Sequence, residues 1–422
     1  MRTFKHAALI IIVILIWTAF IGYGSMNGFL LKPITSKKTS EAFIEATKEK
    51  IDDEFVGNFA MTLIENGKIS KNFFYSIDKS VNKNTVFPVA SISKWVTSFG
   101  VLKLVEQGEL DLDKPVDDYL TRWHLPESEF DNKKVTVRKL LSHSSGLVDD
   151  LGYGGFPPNE TVQTIEESLT KASDTEYSDG VAIVGYEPGN KYMYSGAGYT
   201  ILQLLIEEIS GQSFQDYMKK EIFEPLNMEH STFEYQDKSN PQLAKVYKVD
   251  RTTRQMKKFT ALAAAGLYTT TTDLSKFLKA NVVENDVLSL ETIQTMSVAE
   301  TFINNIGVYG LGPHLYSQND TKSNIIGHDG SGNNAINTAA RIDLKSKSGI
   351  IILETGNWNI ASSIADEWIF WKAGIADYVV MQRNKSYVLT LLIIGYIIII
   401  ALSILIIRKK NRQRKTTVGN NV

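Results

Sequence analysis

Three stretches of this sequence carry residues whose type and spacing suit acyl transfer. The first is Val86-Phe87-Pro88-Val89-Ala90-Ser91-Ile92-Ser93-Lys94-Trp95, where an apolar lead-in ends at Ser91 and Lys94 follows three residues later. Behind it, Trp95 to Val105 places apolar residues at helical spacing, and Gly108 supplies a stop. If a helix opens at Ser91, the two side chains lie one turn apart on the same side of it. The free N–H groups and partial positive charge of a helix N-terminus disfavour an ammonium on Lys94 and favour an oxyanion nearby. A serine with a lysine base at such a place is one way to build an acyl-transfer nucleophile. The pattern alone is weak. It recurs at Ser76, Ser80 and Ser168 in polar, turn-like sequence, and a serine that opens a helix equally suits a plain N-cap.

The second stretch, Pro188 to Tyr199, puts Tyr194 in a glycine-flanked loop before a helix, where a tyrosine also suits an aromatic plug. The third is Gly327-His328-Asp329-Gly330-Ser331-Gly332, read as directly following a strand, with His328 either at a site or capping a turn. Gly330 to Ala335 brushes the dinucleotide fingerprint G-x-G-x-x-G/A. The residues after Ala335 alternate and turn at Lys345-Ser346-Lys347 instead of forming a helix, so a nucleotide site is rejected. The absence of a G-x-S-x-G elbow argues against an α/β-hydrolase.

Length and patterning constrain the framework around these residues. A chain of 422 residues holds one large domain or two modest ones. A net charge of −2, with no basic stripe in the central body, argues against a nucleic-acid partner. The chain has no cysteine, which excludes thiol catalysis and disulfide scaffolds. Its six histidines (His6, His124, His143, His230, His314 and His328) form no close ligand spacing, so neither a metal nor another cofactor is expected.

Both ends are apolar. Ala7 to Gly24 carries no charge and follows Arg2 and Lys5, so residues 1–30 read as a transmembrane anchor or a signal peptide, with the anchor favoured because the small-residue site is not A-x-A. Tyr387 to Ile407 is twenty-one uncharged residues followed by Arg408-Lys409-Lys410, which reads as a span over 386–408 with a basic cytoplasmic tail over 408–422. Both basic flanks prefer the cytoplasm, which places everything between them on the outer face and makes membrane lipid one partner.

Between the ends, residues 40–378 read as one domain. Ser40 is expected to cap an amphipathic helix, and a hairpin to turn at Asn66-Gly67. Helices are expected over Tyr199–Ser210, Phe214–Leu226, Asp273–Ala280 and Ile360–Ala373, with strands at Asn324–Gly327, Ala335–Ile342 and Gly349–Leu353. The glycine- and proline-rich run from Val148 to Gly189 reads as a surface excursion. Strands at both ends with helices between them predict an α+β fold: an antiparallel sheet with an inserted helical lobe.

In this order and spacing the chain resembles the serine β-lactamase-like and penicillin-binding family, in the branch of class C β-lactamases, DD-carboxypeptidases, D-aminopeptidases and related esterases. The resemblance runs over roughly Ile51 to Ile375. It rests on Ser91-Ile92-Ser93-Lys94, on Pro188-Gly189 with Tyr194-Ser195, and on His328-Asp329-Gly330. Supporting phrases are Val137 to Leu147, Ile222-Phe223-Glu224-Pro225-Leu226, and Ala264-Ala265-Gly266-Leu267-Tyr268.

The resemblance implies a β-lactamase/transpeptidase-like fold and a set of roles. Ser91 Oγ would be the nucleophile, Lys94 would stand neutral to take its proton, and Tyr194 would pass a proton to the leaving group. The N–H groups of Ser91 and Ser331 would form the oxyanion hole. His328 would stand for the family's lysine on the substrate-facing strand, Gly330 would let the backbone approach substrate, and His143 would brace the helical lobe.

Two positions depart from the pattern. Gly196 stands where the family has an asparagine, and Asp329 where it has a small residue. A carboxylate at Asp329 that faced the cleft would repel a free substrate carboxylate, which favours an amide, an ester or an amine-bearing peptide. The expected substrate is a small molecule or peptide, including a peptidoglycan stem peptide or a D-amino-acid peptide. A D-amino-acid-specific peptidase maturing a secreted peptide, and a non-hydrolytic binding or sensor protein, are the alternative readings.

Overall fold

The computed structural model describes residues 2–51, 55–148, 153–175, 179–316, 324–332 and 334–419. They fall into two compact units, one of residues 39–365 and one of residues 1–38 with 366–422.

The larger unit is organised on one sheet. Asn66 and Gly67 adopt positive φ angles of 51° and 72°, a two-residue turn whose twist matches the strands it joins. Those strands are β1 (Asn58–Glu65) and β2 (Lys68–Ser76). The others come late: β3 (Thr301–Ile303), β4 (Ile306–Tyr309), β5 (His314–Leu315), β6 (Ile325–Gly332), β7 (Ile336–Asp343) and β8 (Ser348–Thr355). All neighbours pair antiparallel in the order β2-β1-β8-β7-β6-β5-β4-β3. The early strand β1 lies beside the last strand β8, from Asn58 opposite Thr355 to Ile64 opposite Gly349. The sheet is therefore assembled from both ends of the unit, with the helical lobe as the insertion.

In the chain's first helix of this unit, α2 (Ser40–Lys48), Thr39 caps in place of Ser40: its Oγ1 accepts from Ala42 N, while the Ser40 hydroxyl donates to Glu65. Helix α3 (Ile92–Glu106) is buried on nearly every side, as an all-round apolar helix must be. Trp95 and Phe99 pack on Phe277 with ring centroids 5.0 and 4.7 Å away. Gly100 lets α3 approach the lobe so closely that a Cβ there would lie 2.5 Å from Met218 Sδ.

The lobe holds α4 (Val137–Leu141), α5 (Ile165–Lys171), α6 (Gly196–Ser210) and α7 (Phe214–Met218). The chain returns to the sheet through α8 (Leu262–Ala265), α9 (Thr271–Ala280) and α10 (Leu290–Met296). The run from Val148 to Gly189 is not a surface excursion. Thr164 and Glu167 form a reciprocal capping box that starts α5, and Leu169, Ala182 and Val184 are buried. Residues 149–152 and 176–178 of that run lie outside the described residues.

Helix α11 has the expected bounds, Ile360–Ala373, and runs through the division between the units. The smaller unit holds α1 (Arg2–Met26) and α12 (Tyr378–Gly419). Each contains a run long and apolar enough to cross a bilayer, His6–Met26 and Tyr378–Lys410. The basic tail continues α12 as helix to Gly419, and residues 420–422 lie outside the described residues.

Candidate active site

Ala90, the residue before Ser91, sits at φ 45°, a conformation that costs an alanine about 1–2 kcal/mol. Its neighbours hold it there. Val89 N donates to Leu267 O at 3.0 Å, Thr338 Oγ1 donates to Val89 O at 2.9 Å, and Ser93 Oγ donates to Ala90 O at 2.6 Å. Ser91 then begins α3 with helical angles, φ −67° and ψ −8°, and its side chain makes no capping hydrogen bond. A capping residue normally takes extended angles, so this geometry argues against the plain N-cap and leaves the hydroxyl to the cleft.

One turn on, Lys94 is buried, 3% exposed, with Nζ 3.3 Å from Ser91 Oγ and 2.8 Å from Ala264 O. The α8 segment that supplies this carbonyl is itself tied down. Thr97 Oγ1 donates to Ala263 O, Gln203 Oε1 accepts from Ala263 N, and Ser93 Oγ accepts from Leu267 N. The lysine amine thus has a short, fixed reach to the serine.

Tyr194 faces the same cleft, with Lys94 Nζ 4.8 Å from its ring centroid. It precedes the cap of α6, Ser195, whose Oγ accepts from Gly198 N. His143 grips the residues on both sides of Tyr194: its carbonyl accepts from Met193 N at 2.8 Å and its Nδ1 from Ser195 N at 3.0 Å. The His143 ring packs 4.3 Å from the Tyr194 ring. An accepting Nδ1 requires a neutral ring. Burial holds the His143 pKa well below its usual value. His143 therefore braces Tyr194 itself, a closer task than bracing the lobe.

His328 lies within β6, not after it, because the strand continues to Gly332. Its ring is 1% exposed and is not part of the cleft wall. Its Nδ1–H donates to Asp329 O, which can only accept, so Nε2 accepts from the Tyr309 hydroxyl at 3.0 Å. Burial keeps this ring neutral too. The expectation of a substrate-facing His328 is corrected to a buried ring 6.2 Å behind Tyr194, held by β4 through Tyr309.

The neighbours of His328 also differ from expectation. The Asp329 carboxylate pairs with the fully buried Arg341 guanidinium at 2.7 Å. Arg341 stands opposite Gly327 on β7, so Asp329 and Arg341 share the sheet face opposite His328 and Gly330. The condition for repelling a substrate carboxylate, a free Asp329 in the cleft, is not met. Gly330 is required by the chain itself: a Cβ there would overlap Val89 O and Thr338 Oγ1. Gly196 is the buried first residue of α6, and its carbonyl accepts from Thr200 Oγ1.

Ser331 lines the cleft with Ser91. Tyr316 N donates to Ile325 O, so the odd-numbered residues of β6 turn their backbone groups away from β7 and towards β5. β5 begins at His314, opposite Gly327, which leaves the N–H of Ser331 beyond its start, on the open edge beside Val89–Ser91.

The cleft has a volume of about 700 Å³. Its wall includes Tyr153, Met256, Phe259 and Tyr268 with the cations Arg254 and Lys257, and no carboxylate lines it among the described residues. Sequence reasoning missed Ala264, Tyr309, His314 and Arg341. Ala264 acts through its backbone, which has no residue signature, and the other three are brought in by strand pairing across the sheet.

The family model Beta-lactamase matches residues 56–369 of this chain. Among curated proteins, Protein flp of Staphylococcus aureus (strain MRSA252) is 24% identical over 311 residues, covering 71% of this chain. The chain spans 59% of the length of that relative. Among solved structures, the octameric penicillin-binding protein homologue from Pyrococcus abyssi superposes with a TM-score of 0.65 and 27% identity, covering 79% of this chain and 77% of that one. The D-alanine carboxypeptidase AmpC from Burkholderia cenocepacia has a TM-score of 0.61 at 19% identity, covering 78% of this chain and 99% of its own, a likeness of fold.

Proposed function

Because this chain belongs to the Beta-lactamase family, whose members are serine hydrolases, we propose that it is a membrane-anchored serine hydrolase acting through an acyl-enzyme at Ser91. The observation that carries this reading is the buried Lys94 amine 3.3 Å from a Ser91 hydroxyl that caps nothing and opens on a cleft.

In the proposed reaction Ser91 Oγ attacks the carbonyl carbon of an amide or ester, and its proton passes to a neutral Lys94. The N–H groups of Ser91 and Ser331 hold the oxyanion, where each donor is worth roughly 3–4 kcal/mol of transition-state stabilisation. Tyr194 relays the proton held by Lys94 to the departing amine or alcohol as the C–N or C–O bond breaks, which returns Lys94 to its neutral form. Water then attacks the acyl carbon and gives a proton to Lys94; the ester bond to Ser91 breaks, the carboxylic acid leaves, and that proton returns to Ser91 Oγ. His143 and His328, neutral and buried, hold Tyr194 and β6 in place.

The substrate class is an amide or ester in a cell-wall peptide or a D-amino-acid peptide. The pairing of Asp329 with Arg341, and the presence of Arg254 and Lys257 on the wall, support a substrate that carries a carboxylate. This reverses the bias against free carboxylate termini that Asp329 suggests in the sequence. The two apolar terminal helices support membrane anchoring, and the basic flanks at Arg2, Lys5 and Arg408–Lys410 support a catalytic domain outside the cytoplasm. One observation favours a binding or sensor role instead: Gly196 offers no side-chain amide to orient Lys94 and substrate.

Labelling of the full chain in membranes with a fluorophosphonate and with a fluorescent penicillin separates these readings. A live hydrolase labels with fluorophosphonate in the wild type and not in Ser91→Ala. Equal labelling of the two, or none in either, sinks the proposal.

A further inference from the structure

Polar side chains are rare in the apolar runs of the two terminal helices, and a pair of them meets between the helices. The Tyr396 hydroxyl lies 2.7 Å from Thr18 Oγ1. Thr18 Oγ1 donates its own proton to Ile14 O at 2.9 Å, so in this pair Tyr396 is the donor. One residue away, the Trp17 indole lies over Gly395 so closely that a Cβ on Gly395 would overlap Trp17 Nε1. A glycine is the one residue that admits the ring so near.

A second attachment closes one end of the pair. Lys32 N donates to Asn384 Oδ1 at 2.9 Å, and Asn384 Nδ2 returns a bond to Lys32 O at 3.1 Å. Arg383 also donates to Lys32 O and pairs with Glu367. The Lys32 ammonium sits 3.8 Å over the Tyr387 ring. Position 32 thus meets 384 and 387, while 18 meets 396. The two helices run antiparallel, which brings Arg2 and Lys5 to the same end as Arg408, Lys409 and Lys410.

From these contacts we infer that α1 is a retained half of a two-helix membrane anchor, docked on α12 through Trp17–Gly395 and Thr18–Tyr396, and is not a signal peptide removed on export. The inference rests on the reading that both helices span the membrane. In hydrocarbon, association of helices depends on close packing and interhelical hydrogen bonds, because lipid tails are as apolar as the helices. Tyr396 Oη needs an acceptor at that depth, and α1 supplies it. The same α1 segment leads on to Lys32, whose backbone N–H and carbonyl are both bound by Asn384. Cleavage after the small residues Gly22 or Gly24 would strip α12 of its mid-span partner. The antiparallel direction also agrees with both basic flanks lying on one side of the bilayer.

The cysteine-free chain allows a direct test in native membranes. Thr18→Cys with Tyr396→Cys is oxidised, and the intervening domain is cut at an introduced protease site. The expected result is that the two helical fragments stay joined by a disulfide at least tenfold more than with Leu15→Cys and Ile398→Cys, whose side chains are 61% and 51% exposed. Gly395→Leu in the same background is expected to lower the joined product at least tenfold, with the chain still pelleting with membranes after carbonate washing. Co-expression of the two single-cysteine chains is expected to give no joined product, and mass spectrometry to find a mature N-terminus ahead of Arg2 or at it.

A mature N-terminus beyond Met26 on a chain that still pellets overturns the retained pair and leaves the spanning reading intact. So does crosslinking no greater than the control pair, or a joined product that forms only between copies. Release of the whole chain by carbonate overturns the spanning reading and the pair with it.

Discussion

A serine that caps a helix takes extended backbone angles and spends its hydroxyl on an N–H one turn ahead. Ser91 takes helical angles behind a left-handed Ala90, and its hydroxyl instead lies within reach of Lys94. Lys94→Met is expected to slow fluorophosphonate labelling about 10²- to 10⁴-fold, the range for a lost general base, with little change in thermal midpoint. Time-resolved labelling of both proteins checks this. The other residue-scale prediction concerns Arg341, fully buried and paired with the partly exposed Asp329. Asp329→Asn takes one carboxylate from that buried guanidinium and is expected to destabilise the fold by about 3 kcal/mol. Replacing both, with Arg341→Met added, is expected to recover most of the loss. Denaturant melts of the single and double variants decide it, and equal losses in both would contradict the pairing.

Elements position these residues through close approach and through neutral buried groups. At Gly330, β6 touches the segment before Ser91, so Gly330→Ala must push Val89 or Thr338 aside. The expected cost is about 1–3 kcal/mol, with labelling at Ser91 lost together with stability, since the same shift moves the Ser331 N–H. The pH dependence has two opposing parts. His314 beside Tyr309 on the β4–β5 edge has its pKa pushed down to about 4, chiefly by burial, and His143 and His328 move in the same direction. Unfolded, each binds a proton near pH 6.5 that the native state refuses, so stability is full above about 6.5 and falls as pH drops towards 4. Glu354, on β8 beside the start of α11, behaves oppositely. Burial raises its pKa to about 8, and Ala361 N donates to one of its oxygens at 2.7 Å. The native state keeps a proton that the unfolded chain loses near pH 4.3, so that contribution is lost as pH rises through 8. Taken together, these four groups place maximal stability near pH 6.5. Glu354→Gln is expected to flatten the decline above pH 6.5 and to be more stable than wild type at pH 8, and His314→Gln to soften the acid limb. Urea melts at pH 4.5, 6.5 and 8 read both.

For the whole molecule, the side chains that form the site all belong to the unit of residues 39–365, while the apolar helices belong to the other. A chain trimmed to residues 39–373, which keeps α11 whole, is expected to be soluble without detergent and to label at Ser91 at the rate of the full chain. A trimmed chain that folds, by circular dichroism, but does not label would show that the anchor contributes to the site.

Short-range order was legible in the sequence. The Asn66-Gly67 turn, the bounds of α11, the two apolar ends and the one-turn spacing of Ser91 and Lys94 are all set by residues within a few positions of each other. The ordered phrases around Ser91, Tyr194 and His328 extended that reach to the fold of the family. How distant segments answer these residues was left to tertiary structure. There Ala264 O holds the lysine, His143 clamps the backbone around Tyr194, His328 turns to Tyr309 on one sheet face, and Asp329 turns to the buried Arg341 on the other. The physical reason is the two-residue alternation of a strand. Shifting β6 by one position exchanges the faces of His328 and Asp329, and only its register with β7 specifies which of them lies behind the tyrosine.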